Sequence, residues 1–254
     1  MQKAAALLKG IEKMKSGDKM LLCFPFAGGG ASAFYSWNGQ MSEAVKVCPV
    51  QLPGREERIM EKPYTDMESL VDDVIESLHY VEQEFIVFGH SMGAKMAYEA
   101  VKRLEKEHKK VQLLIVSGSR APHIPEPNPI YHLADKDFKK ELARFEGTPK
   151  EILENEDLLD FFLPMLRADF TLDEVYQART RTKLQCPILA LGGSNDSEAD
   201  HNELLQWNDY TVSEFEYRIF QGGHFFIKTR ESEIFPYIRQ KILEYTNVKN
   251  YSIR

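Results

Sequence analysis

Cysteine is scarce in this chain of 254 residues: there are three, and Cys23, Cys48 and Cys186 are not spaced as a metal or redox pair. Each falls in or beside a stretch that reads as a buried strand, so all three are expected in the core, a usage that suits a reducing compartment. Long apolar runs are missing too. The opening MQKAAALLKGIEKMKSGDK carries lysines, but its apolar run is too short and interrupted for a signal peptide or a transmembrane span. The expectation is a cytoplasmic protein, away from membranes, whose residues 1–17 form a loose amphipathic lead-in. Positive charge is in deficit. A net charge of -7 and a pI near 5.6 leave nothing to neutralise phosphates, which excludes nucleic acid as a non-specific partner and is compatible with solubility. The balance of 43% hydrophobic and 28% charged residues is that of an ordinary globular protein and excludes disorder. The length suits one α/β domain with a sizeable core.

Against these absences stands one stretch, FIVFGHSMGAKMAYE, at residues 85–99. Residues 85–88 are apolar and read as a short buried strand, and from Met92 a helix-compatible pattern runs towards Leu104. Between them, Gly89-His90-Ser91-Met92-Gly93 spells G-x-S-x-G. In a nucleophile elbow the chain turns from strand to helix so sharply that the serine backbone is strained. Side chains two residues to either side would collide, hence the glycines. The turn sets the serine hydroxyl at the carboxyl end of the sheet, above a helix N-terminus whose free N–H groups favour negative charge.

The rest of the chain supplies a frame for that turn. Residues 19–26, KMLLCFPF, read as a first strand covered on both faces. It ends in Ala27-Gly28-Gly29-Gly30, which has neither the G-K-[ST] of a phosphate loop nor the spacing of a dinucleotide fingerprint. Beside an elbow, such a turn brings a backbone N–H near the serine, so Ala27 and Met92 are the expected pair of oxyanion donors. Residues 45–52 read as a second strand running into Pro53-Gly54-Arg55-Glu56-Glu57-Arg58. Its two arginines either position an anionic partner or pair with the adjacent glutamates in a solvated loop. Leu70, Val71, Val74, Ile75 and Leu78 are spaced as an amphipathic helix over 67–81, and 111–116 is a further apolar strand ending in Ser117-Gly118-Ser119-Arg120. The alternation predicts an α/β protein with a mainly parallel, doubly wound sheet.

The rhythm then breaks. Residues 121–129, APHIPEPNP, are too rich in proline for regular structure, and helical patterns follow over 137–145, 149–159 and 163–179. Residues 121–182 are therefore expected to form a helical cap, or lid, inserted between two strands of a single domain spanning 1–254. Its Phe138, Phe145, Phe161, Phe162, Met165, Phe170 and Tyr176 either line a substrate pocket or hold the cap together. Residues 186–191 resume the sheet and lead to Gly192-Gly193-Ser194-Asn195-Asp196, a short helix is expected over 203–207, and 215–220 is the last strand. Gly222-Gly223-His224-Phe225-Phe226 and a closing helix over 231–245 complete the chain.

A serine hydroxyl is a weak nucleophile until an adjacent base accepts its proton, and the base needs a third group to fix its tautomer and steady its charge. In α/β-hydrolases these come in the chain order serine, acid, histidine. Ser91, Asp196 and His224 follow that order, the last two each in a loop after an expected strand. His90 is locked inside the elbow, His79 and His108 fall on helices, and His123, His132 and His201 do not end a strand. The strand ending near Ser117 offers no carboxylate, which leaves Asp196, with Asp200 its nearest rival and Asp169 in the cap. Lys95 lies four residues after Ser91 rather than the three of S-x-x-K, and reads as a helix side chain.

Five stretches together resemble the motifs of type II thioesterases, the stand-alone editing enzymes that accompany non-ribosomal peptide and polyketide synthases. They are Phe24-Pro25-Phe26-Ala27-Gly28-Gly29, Leu52-Pro53-Gly54-Arg55-Glu56-Glu57-Arg58, Gly89-His90-Ser91-Met92-Gly93-Ala94, Leu163-Pro164-Met165-Leu166-Arg167-Ala168-Asp169-Phe170 and Gly222-Gly223-His224-Phe225-Phe226. The likeness runs from Lys19 to the last helix. It implies hydrolysis of acyl or aminoacyl thioesters from the phosphopantetheine arm of acyl or peptidyl carrier protein domains, clearing misloaded short acyl groups. Ser91 would be the nucleophile, His224 the base and then the acid, Asp196 the orienter, and Ala27 and Met92 the oxyanion hole. It implies no cofactor and no metal, and a monomer is expected. Lys95 departs from the pattern, which would have an apolar residue there. Two other readings stay open: a stand-alone medium-chain acyl thioesterase or carboxylesterase, and a carrier-binding protein without catalysis.

Overall fold

In the computed structural model, residues 7–41, 45–145, 147–148 and 150–247 are described. Their strands are β1 (Lys19–Phe24), β2 (Lys46–Pro49), β3 (Glu84–His90), β4 (Val111–Ser117), β5 (Ile188–Gly193) and β6 (Phe215–Phe220). All neighbouring strands pair in parallel, in the order β2-β1-β3-β4-β5-β6. The helices are α1 (Trp37–Met41), α2 (Met67–Ser77), α3 (Met92–Lys106), α4 (Asp135–Leu142), α5 (Lys150–Leu153), α6 (Glu156–Val175), α7 (His201–Leu205), α8 (Phe226–Thr229) and α9 (Glu231–Asn247).

Successive side chains of a strand point to opposite faces, and both faces of β1, β3, β4 and β5 are covered, which is why these strands read as largely apolar runs, while edge strand β6 leaves Tyr217 and Arg218 exposed. In β1, Met20, Leu22 and Phe24 join one core with α2 and α3, while Leu21 and Cys23 join another with α1 and α9. The sheet is doubly wound, as the alternation of elements predicts. The chain passes from β1 to β2 on one side and then to β3 on the other, so the winding reverses beside β1 and β3. Such a switch point opens a crevice at the carboxyl ends of the strands, and Ser91 directly follows β3. The three cysteines are free and buried, as expected. No helix among the described residues is long and apolar enough to cross a membrane.

Between β4 and β5 the cap helices α4, α5 and α6 build a third core from Ile130, Phe138, Leu142, Leu159, Leu163, Met165, Leu166 and Phe170. Two details correct the sequence-based expectation. The separate helices expected over 149–159 and 163–179 are instead the short α5 and one continuous α6 that runs through Pro164. Proline removes only one helical hydrogen bond, and both Pro164 and Asp160, whose carbonyl loses its donor, lie on the exposed side. Leu7 and Leu8, read as part of a loose lead-in, are packed, at 3% and 0% exposed. Leu8 forms an antiparallel bridge with Val50, and the Gln51 N–H donates to the Leu7 carbonyl at 2.7 Å. Two adjacent leucines thus cover the end of edge strand β2. Residues 1–6 lie outside the described residues.

Candidate active site

The elbow is built as the glycine spacing demands. Ser91 sits between β3 and α3 with φ 56° and ψ -125°, a region that only a constrained non-glycine residue occupies, at a cost of about 1–3 kcal/mol. Its N–H donates to the Ser117 carbonyl at 2.8 Å. A Cβ on Gly89 would lie 2.1 Å from the Gly93 carbonyl oxygen, and one on Gly93 would lie 2.3 Å from that of Phe24. The two glycines therefore allow strand, helix and β1 to meet at the serine.

The other two members arrive on neighbouring loops. Because β5 and β6 are adjacent and parallel, the turns after them leave the sheet at the same end. They are tied together: the Ser194 N–H donates to the Phe220 carbonyl and the Asn195 N–H to the Gly222 carbonyl, both at 2.8 Å. The result is a hydrogen-bonded chain of three side chains. His224 Nε2 is 2.9 Å from Ser91 Oγ, and its Nδ1 is 3.0 Å from both Asp196 carboxylate oxygens. Asp196 is 8% exposed, and its Oδ1 also accepts the Glu198 N–H at 2.9 Å. The rival Asp200 is occupied elsewhere as the cap of α7, where it accepts the Glu203 N–H at 2.8 Å in a reciprocal capping box. His90 is fully buried, with Nδ1 3.0 Å from Ser117 Oγ and its ring centroid 5.0 Å from that of His224. Burial, with His224 and Lys228 adding, pushes its pKa well below the usual imidazole range and keeps it neutral.

The arginine loop does something that neither reading of the sequence anticipated. Arg55 is 4% exposed and grips Asp169 of α6 with two hydrogen bonds of 2.6 Å each. The same Asp169 accepts the Gly28 N–H at 2.8 Å, and Arg55 Nη1 donates to the Gly29 carbonyl at 2.9 Å. The pair thus ties the glycine turn after β1 to the cap. Arg58 behaves more plainly and pairs with Glu61, while donating to the Gln51 carbonyl at 2.8 Å. The signal for Arg55 lay in two motifs that look unrelated in sequence, proline-glycine-arginine and arginine-alanine-aspartate.

A cavity of about 50 Å³ opens at Ser91, lined by His224, Ala27, Phe26 and Phe225 from the sheet side and Phe145 and Phe170 from the cap. Of the aromatic residues considered for this wall, Phe138 belongs to the cap core, Phe161 is 59% exposed, and the Tyr176 hydroxyl donates to Glu99 at 2.6 Å. Met92 turns its side chain into the core beneath, while its amide opens α3 and has no acceptor within that helix. Lys95, where an apolar residue was expected, is 3% exposed and lies in the cavity wall, with Nζ 2.8 Å from both the Asp173 carbonyl and Oδ1. Among the described residues no group of three or more His, Cys, Asp or Glu side chains is placed to hold a metal ion.

A parallel sheet, a serine on a strand-to-helix elbow at its switch point and an aspartate–histidine pair on the loops after β5 and β6 are the arrangement of an α/β-hydrolase. The chain belongs to the thioesterase family, whose thioesterase domain matches residues 19–242. It is 37% identical over 225 residues to the gramicidin S biosynthesis protein GrsT of Aneurinibacillus migulanus, covering 87% of this chain and 88% of that one. It is also 37% identical over 234 residues to the protein named linear gramicidin dehydrogenase LgrE of Brevibacillus parabrevis, covering 90% and 89%. Among solved structures, YbtT, a type II thioesterase from the yersiniabactin NRPS/PKS biosynthetic pathway, superposes with a TM-score of 0.80 at 30% identity, covering 91% of this chain and 94% of that one.

Proposed function

We propose that this protein is a type II editing thioesterase that hydrolyses acyl and aminoacyl groups from the phosphopantetheine arm of synthase carrier domains. The observation that carries the reading is the unbroken Ser91–His224–Asp196 hydrogen-bonded chain at the mouth of a small cavity. His224 Nε2 takes the proton as Ser91 Oγ attacks the thioester carbonyl, and Asp196 steadies the imidazolium that forms. The developing oxyanion is met by the amides of Ala27 and Met92. The imidazolium then protonates the departing thiolate, leaving an ester on Ser91. Water, deprotonated by the same imidazole, cleaves that ester and frees the acid.

In this reading residues 121–182 act as a lid on the domain, the chain works as a monomer, and its free, buried thiols suit the cytoplasm. The family match and the likeness to a type II thioesterase support the choice of thioester over other acyl bonds.

The test is mass spectrometry of one acylated carrier before and after incubation. The arm should lose its acyl group, and Ser91→Ala should slow that loss by several orders of magnitude. Turnover within a few-fold of wild type in that variant would end the proposal. The same acyl group offered on a carrier, on coenzyme A and on a simple alcohol separates an editing enzyme from a stand-alone esterase, which would prefer the alcohol ester.

A further inference from the structure

Beyond the triad, the cavity wall is not the apolar slot that a fatty chain would require. Lys95, Arg120, Glu126, Asp173, Glu174 and Glu198 all line it. The two cations are buried and already matched. Lys95 lies against Asp173, while Arg120 pairs with Glu126 and, at 3.4 Å, with Glu203. Glu174 differs. Its Oε2 accepts the Ile130 and Tyr131 N–H groups at 2.8 and 2.7 Å, which anchors the carboxylate in the wall. Among the described residues, no lysine or arginine pairs with it, and no donor reaches Oε1. Burial pushes its carboxyl up to about 7, and the neighbouring Asp173 and Glu126 add to the rise. With two cations against four carboxylates the wall is short of positive charge, and Glu174 is the carboxylate that backbone N–H groups hold there, in a cavity of about 50 Å³ that holds only a few water-sized groups.

We propose, resting on the thioesterase reading above, that this wall is an ammonium subsite. Glu174 pairs with the free amine of a short amino-acyl group, so amine-bearing acyl carriers are preferred to carriers of the same shape without the amine. An entering ammonium gives Glu174 a charge-assisted hydrogen bond. A methyl group in its place leaves a carboxylate confined beside apolar surface with nothing gained, and polar sites reject such analogues strongly.

The test loads one carrier domain with two matched pairs, alanyl against isobutyryl and 3-aminopropionyl against butyryl, each differing by an ammonium in place of a methyl. kcat/KM is measured for wild type and Glu174→Gln. Intrinsic thioester lability is common to both enzymes, so the amine-to-alkyl ratio compared between them isolates the carboxylate. That ratio should fall at least ~10-fold in the variant for one pair or both. An unchanged ratio for both pairs overturns the subsite. Should the variant fail to fold, wild-type binding of the non-hydrolysable pantetheine amides of the same groups decides, and alkyl amides that bind as tightly as both amine-bearing ones overturn it. If wild type hydrolyses none of the four thioesters, the thioesterase reading falls, and the amide binding still decides the subsite.

Discussion

The Arg55–Asp169 pair permits a prediction in which stability and catalysis separate. Both side chains are almost fully buried, at 5% and 1% exposure, and both N–O contacts are 2.6 Å. Asp169→Asn leaves a buried guanidinium without its counter-charge, a loss of about 3–5 kcal/mol when one partner of a buried pair is removed. A urea titration should show this as a lower midpoint with an unchanged slope. The variant also weakens the hold on the Gly28 N–H and, through Arg55, on the Gly29 carbonyl, so the preceding Ala27 amide loses its fixed position. A donor displaced by a fraction of an ångström costs roughly 10–100-fold, and the loss should fall on kcat rather than KM.

The double variant Arg55→Met with Asp169→Leu then distinguishes the two roles. Apolar replacement of a whole buried pair is often neutral or stabilising, so about 2 kcal/mol or more of the lost stability should return. A leucine accepts no hydrogen bond from Gly28, so kcat should stay low. If the double variant regains both stability and a kcat within about threefold of wild type, the pair is only a clamp between cap and body, and the link to Ala27 is wrong. If Asp169→Asn alone costs under about 1 kcal/mol, the burial argument fails at its first step.

Three further outcomes are open to measurement. Gly93→Ala drives a Cβ to within 2.3 Å of the Phe24 carbonyl oxygen and should destabilise by more than about 3 kcal/mol or abolish soluble expression, seen by thermal melting. Leu8→Ala removes a fully buried side chain and should cost about 2–4 kcal/mol in a denaturant titration; a loss near zero would return Leu7 and Leu8 to the status of a loose lead-in. Glu174, raised from 4.5 to about 7 by burial, holds its proton better in the folded protein than in the unfolded chain. Its contribution therefore favours folding at low pH and is lost as pH rises through about 7. With the charge partly screened by solvent, wild type should lose about 1 kcal/mol relative to Glu174→Gln between pH 5 and pH 8, and a pH-independent difference would refute the assignment.

Local rules carried much of this structure. The glycines of the elbow, the loops after β5 and β6 and the apolar strand runs are constraints a residue imposes on its immediate neighbours, so their positions are readable from spacing. Strand and helix ends moved by a few residues, since hydrogen bonds rather than hydrophobicity set them. α1 and the short turn over Ala31–Phe34 are too brief to show a period. What spacing does not reveal is which distant partner a polar residue selects. Arg55 lies beside two glutamates in sequence and bonds instead to Asp169 far along the chain, because that buried carboxylate enters the same desolvated volume. Lys95 is the same case: read alone it breaks the apolar face of α3, but in the fold Asp173 comes down from α6 to meet it.

These pairings share a polarity that bears on how the cap is held. Arg55, Lys95 and Arg120 lie outside the inserted segment, and their partners Asp169, Asp173 and Glu126 lie within it. Eight of the cap's apolar side chains are buried in its own cluster, while near the end of α6 Leu172 enters the core of the sheet domain. The two kinds of attachment differ in what separation would expose. Parting the leucine end opens apolar surface to water and is opposed throughout. Parting the ionic seam loses Coulomb attraction but returns six charged groups to water, and for buried pairs those terms nearly cancel. Because Asp169 and Asp173 flank Leu172 on the last turns of α6, the apolar contact and two of the three ion pairs hold the same end of that helix, and the leucine supplies the part of the attachment whose loss water opposes.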